Sequence, residues 1–217
     1  MLFTDAEIQG CLWHLCRAFI KKAKNLRLLR FKRYLPELMN LIRKACAISL
    51  LPTRYFLTGL RLVRNEARET DIITAYLLEP FFDYVQERWI NNANRRRWMS
   101  MFNSMHRTNN CCESHNKMLR KAVGAYRPNI YAFITALARL EHNAALDIES
   151  LSNGGAVKRS RRWQAVYADR AVEALSNDLQ ADVFRDRDVS VRNFIHRAAN
   201  LFVTAYNTLV QREGAGN

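Results

Sequence analysis

The chain has 217 residues, 49% hydrophobic and 25% charged, a globular composition that can bury a core and excludes a mostly disordered chain. Its 7 Gly and 4 Pro are too few for collagen-like, linker-rich or many-turn β architectures. Lys and Arg total 34 against 20 Asp and Glu, a formal charge of +14, which points to a polyanionic partner such as nucleic acid or to an anionic surface.

In chain order, Thr4-Asp5-Ala6-Glu7 fits a capping box, and Phe3 and Ile8 sit where a hydrophobic staple closes. Ile8, Cys11, Leu12, Leu15, Phe19 and Ile20 then recur at helical spacing, which predicts a helix from about Thr4 to Leu28. Pro36 suits the first position of a second helix with Leu38, Leu41, Ile42, Ala45 and Ile48, stopped by Pro52. Thr53 caps a third helix. A fourth runs from Asp71 to Trp89, with a kink or break expected at Pro80.

Asn91 to Arg97 reads as a polar, basic loop, and Trp98 to Met105 as short and ambiguous. Thr108 or Asn109 caps a helix over Asn110 to Val123, ended near Gly124. Pro128 opens another, with Ile130, Phe133, Ile134, Leu137 and Leu140 on one face. Ser150 to Arg162, with Gly154-Gly155 and a basic run, reads as a linker. Helices follow near Trp163 to Leu179 and after a Ser190 cap. No alternating strand pattern and no fixed-period repeat is visible, so the fold class is mostly α. The domain division read from this pattern is 1–149, a linker over 150–162, and 163–217.

No apolar run reaches the length of a membrane span, and no signal peptide pattern opens the chain, so a membrane partner is not expected. Five Cys form no regular framework, which favours free thiols in a reducing compartment.

Several residue sets could carry chemistry. Cys11 and His14 share a helix face, but zinc takes four N or S ligands. Cys111, Cys112 and His115 would complete a site only if the fold converged them; otherwise Cys11 is a small buried apolar residue. Cys111 and His115 also have the spacing of a nucleophile pair, without an orienting third group. Glu113, near a helix start, either compensates the helix dipole or ligates a hard cation such as Mg²⁺. Ten basic residues and one acid, Glu37, lie between Arg17 and Lys44. The cations Arg95, Arg96 and Arg97 beside Trp98, then Arg107, Lys117, Arg120 and Lys121, then Lys158, Arg159, Arg161 and Arg162 beside Trp163, suit phosphate contact with aromatic stacking. The alternative is solvated charge, and for the Lys158 segment a nuclear-import tract.

Five segments occur in an order that resembles the C-terminal part of a Mutator-like element transposase. They are Gln9-Gly10-Cys11-Leu12-Trp13-His14, the apolar stretch Ile42 to Pro52, Tyr84 to Ile90, Arg107-Thr108-Asn109-Asn110-Cys111-Cys112-Glu113-Ser114-His115-Asn116, and Arg127-Pro128-Asn129-Ile130-Tyr131-Ala132-Phe133-Ile134. The resemblance implies a ribonuclease-H-like core with an Asp, Asp, Glu metal site for Mg or Mn and a helical insertion before the Glu. By the same resemblance, Glu113 matches the third acid, and Cys11 and His14 match the family's Cys-His signature. The two Asp precede the Cys-His helix on strands, and this chain opens almost at that helix. The expected architecture is therefore the helical insertion and C-terminal helices of that core without its central strands.

A lone Glu113 holds Mg²⁺ poorly, and two-metal catalysis needs several converging carboxylates. The expectation is a nuclear, DNA-binding protein with no catalytic activity or cofactor of its own. Ile8, Leu12, Leu15 and Phe19, lacking a sheet to cover them, would form an exposed patch for self-association or a protein partner. A helical protein-interaction module and a zinc-binding module are the competing readings.

Overall fold

The structure, a computed structural model, describes residues 9–104, 107–125, 127–156, 163–182, 186–201 and 203–214. Among them every regular element is helical and there is no strand. Two compact units form: Met1–Arg107 with Gln164–Asn217, and Thr108–Trp163. The sequence division at 149 and 162 does not coincide with these units, because residues after 163 pack with the first 107.

In the first unit α1 is Leu12–Asn25, α2 Pro36–Ala47, α3 Phe56–Thr70, α4 Ile72–Val85, α5 Ala93–Met99, α8 Trp163–Asp182, α9 Arg187–Leu201 and α10 Val203–Gly214. The second unit holds α6, Asn110–Val123, and α7, Ile130–Ser152. The centre of the first unit is α2. Pro36 sits at its start as the sequence predicts, and Leu38, Leu41, Ile42, Ala45, Cys46 and Ala47 are all buried. The helix is amphipathic, with this apolar face buried and its Glu37, Asn40 and Arg43 side partly open to solvent. It packs on α1, α3, α4 and α9.

The apolar face of α1 is covered, which corrects the expected exposed patch. Leu15 and Phe19 are buried and Leu12 is half-buried, because α1 packs on α2, α4 and α10. The cover comes from other helices of the same unit, so no sheet is needed. Phe19 anchors it, edge-on to Phe81 at 5.8 Å and Trp89 at 5.9 Å. Ile8 and the Thr4 capping box lie outside the described residues.

Three local expectations also change. Asp71 caps α4, accepting from Thr74 N at 2.7 Å, and the helix continues through Pro80 without a break. Pro80 lies on the exposed side, and Tyr76, whose carbonyl loses its partner, is 80% exposed, so water can satisfy that oxygen. The irregularity comes later, as a π turn over Gln86–Ile90. The segment read as a basic loop contains α5. Asn92 accepts from Arg95 N at 3.0 Å, an N-cap that makes a helix of the arginines. Finally, Asp186 rather than Ser190 caps α9, accepting from Val189 N at 3.1 Å. Ser190 sits inside that helix and donates back to the Asp186 carbonyl at 2.7 Å.

Candidate nucleic-acid interface

The arginines of α5 are held by the segment around Gly10. Gly10 N donates to the Trp98 carbonyl at 3.0 Å, and Leu12 N to the Arg107 carbonyl at 2.8 Å. A Cβ at Gly10 would fall inside contact distance of that Trp98 oxygen, so glycine permits the approach. Gln9 accepts from Ser104 Oγ at 2.9 Å and reaches Met101 Sδ at 3.3 Å. Met101 N in turn bonds the Ser49 carbonyl at 2.8 Å. The 98–104 stretch is thus tied to both α1 and the end of α2.

On this frame Arg96 and Arg97 are exposed and Arg95 is half-exposed. Arg96 and Arg97 make no side-chain hydrogen bond or ion pair among the described residues. They sit in the last turn of α5, where the helix dipole favours cations. Both line an open groove of about 580 Å³ with Gln9, Phe102, Asn103 and Ser104, and Trp98 beside them is 41% exposed. Among the described residues no carboxylate lines the groove. Two free guanidinium forks beside amide, hydroxyl and aromatic groups suit phosphate oxygens with stacking.

Arg107 is different. Its side chain is 13% exposed and ion-paired to Asp169, and it also donates to the Ser104 carbonyl at 3.3 Å. Its charge is satisfied inside the unit, joining the end of the groove segment to α8. The Arg17 to Lys44 run is likewise no single free face. Arg17 pairs with Glu213 at 2.7 Å, Lys22 lies over the Tyr84 ring, and Lys44 is buried against Glu66.

In the second unit Lys117, Arg120 and Lys121 are exposed on α6 and without ion pairs among the described residues. Glu113 lies in the first turn of α6 and is exposed. Among the described residues no three His, Cys, Asp or Glu side chains group to hold a metal. Glu113 therefore belongs to no such group among the described residues. Half-buried Cys11 and exposed His14 belong to the first unit, and exposed Cys112 and His115 to the second. Neither unit by itself assembles four zinc ligands from them. The Cys111 side chain and residues Lys158, Arg159, Arg161 and Arg162 lie outside the described residues, as does any pairing of Cys111 with His115.

Gln9, Phe102, Asn103 and Ser104 carry no charge signal, so the sequence pattern does not mark them as groove residues. The one available clue is Gly10, a glycine directly before a helix turn. The chain matches no known family model, no curated protein and no solved structure. No described helix is long and apolar enough to cross a membrane.

Proposed function

We propose that this chain binds nucleic acid without sequence selectivity and does not by itself cleave it. The observation that carries this reading is the pair Arg96 and Arg97, which among the described residues have no side-chain partner and line a groove without carboxylates. The net charge of +14 supplies the long-range attraction. Lys117, Arg120 and Lys121 give the second unit phosphate-binding cations of its own. Descent from a Mutator-like transposase, and with it a nuclear location, rests on the ordered sequence motifs. The proposed absence of cleavage is supported by Glu113 belonging, among the described residues, to no group of three His, Cys, Asp or Glu side chains. Replacing Arg96 and Arg97 together by Ala should weaken binding to all duplex sequences alike. The slope of log affinity against log salt should become shallower by about 0.9 for each phosphate that is no longer neutralised. Fluorescence anisotropy on two unrelated duplexes measures both. An effect confined to one sequence would contradict the reading.

A second reading, self-association, is favoured by one observation on α7. Ile130, Ile134, Leu137, Ile148 and Leu151 are 61, 55, 38, 64 and 57% exposed. With Ala144 they keep the four-three spacing of a two-helix coiled-coil seam, interrupted at one position by the charged Glu141. The same helix in a second copy carries a matching seam. Light scattering should then show a concentration-dependent dimer that Ile134→Glu abolishes; a monomer at all concentrations would exclude this reading.

A further inference from the structure

We propose that α7 pairs with α7 of a second copy in antiparallel order, with Ile134 of one copy level with Leu151 of the other and Glu141 level with Ala144. The proposal rests on the self-association reading and adds to it the direction and register of the pair.

The need for cover comes first. The second unit contributes no residue to the buried hydrophobic cluster, and Ala136 is the one buried apolar residue among its described residues. Two helices with so small a core are not stable on their own, and association is one way such a unit gains buried area. The helices also differ in length. α6 has 14 residues and α7 has 23. They are joined through residues 124–129, at the start of α7, so in a hairpin the C-terminal end of α7 outruns its neighbour. Ile148 and Leu151 stand on that end, both exposed.

Glu141 decides the direction. In a parallel, in-register pair every residue of the seam meets its own copy, so Glu141 lies level with Glu141. Two like charges would then face each other in an apolar seam. Reversing one helix brings Ile134 level with Leu151, Leu137 level with Ile148 and Glu141 level with Ala144. Each pairing occurs twice by two-fold symmetry. The large apolar side chains meet one another, which makes the row self-complementary and a second copy its fitting occupant. The acid meets the smallest residue of the row, where its carboxylate can bend out to water. Sliding the pair by one heptad in either direction sets Glu141 against Leu137 or Leu151 instead, burying the carboxylate against apolar bulk. The overhanging end of α7 is thus covered by the half of the partner helix that starts beside α6.

The test uses the full chain in sedimentation equilibrium. Ala144 is exposed, so a charged side chain there leaves the packing of the single chain intact. In the antiparallel pair Ala144→Lys sets two ammonium groups against the two Glu141 carboxylates, and Ala144→Glu sets two carboxylates there. The Lys variant should dimerise about tenfold more tightly than the Glu variant, and the difference should vanish on a Glu141→Gln background. In a parallel pair both variants set like charge against like at position 144. Equal dissociation constants, or a difference that persists without Glu141, therefore overturn the antiparallel register while leaving self-association in place. A monomer at every concentration overturns both. A dimer unaffected by Ile134→Glu lies outside α7 and overturns pairing through this helix.

Discussion

Lys44 and Glu66 show how this protein tolerates a charge in its core. Lys44 has a side chain only 6% exposed and is ion-paired with Glu66, which is itself 23% exposed. Glu66 also meets His196 Nε2 at 3.2 Å. The pair joins α2 to α3, and the histidine brings in α9. Desolvating an ammonium is costly, and a partner offsets that cost without making the pair a large net stabiliser. Removing one member is therefore asymmetric. Glu66→Ala leaves a buried cation uncompensated and should cost about 3 kcal/mol. Lys44→Met keeps the apolar stem in place and leaves the acid with His196 and water, so its cost should be at most about 1 kcal/mol. Urea unfolding with an unchanged m-value checks both. Equal costs would mean that the pair acts through packing alone.

At the scale of elements, α5 decides whether the site exists. Its arginines face solvent because Asn92 starts the helix and the Gly10–Trp98 backbone bond seats its end. Gly10→Ala should displace that end and cost about 2 kcal/mol, in the range of overpacking a tight site. It should also weaken duplex binding, although Gly10 has no charge. Denaturation and anisotropy on the same variant check this; unchanged binding would show that α5 is seated by other interactions. Arg107→Ala provides the contrast, because its guanidinium pairs with Asp169 and not with the groove. It should lower stability more than it lowers affinity for a correctly folded fraction.

The elements also show what can be read from residue order. Pro36 at the start of α2, Asp71 at the cap of α4 and Gly124 at the end of α6, with φ +71°, are legible because each has a local physical cause. The helical state of Asn91 to Arg97 is not. Three consecutive arginines resemble a solvated loop, and the one short side chain that caps them is a weak signal beside so much charge. Ser190 misleads because a hydroxyl inside the first turns of a helix can bond backward as easily as it can cap. Charge density marks the arginines of the groove, but not which of them are free. That depends on Asp169, which lies 62 residues from Arg107 in the chain.

For the whole molecule, the first unit closes its own core through long-range packing. Among the described residues α1 packs on α10, and α2 and α3 pack on α9. The apolar face of α1 thereby lies inside a helical unit, covered by a partner far along the chain that helical periodicity alone does not identify. Among the described residues Glu113 is part of no three-donor group of His, Cys, Asp or Glu side chains. What the surface does offer is cation density, with Arg96, Arg97, Lys117, Arg120 and Lys121 left without ion pairs among the described residues.

The most direct test is duplex affinity measured across a salt series, with and without Mg²⁺, for the full chain and for the Arg96→Ala, Arg97→Ala double variant. The account predicts steep salt dependence on every duplex, a shallower slope in the variant, and no cut strands with Mg²⁺. Salt-independent binding, or Mg²⁺-dependent nicking abolished by Glu113→Gln, would contradict it.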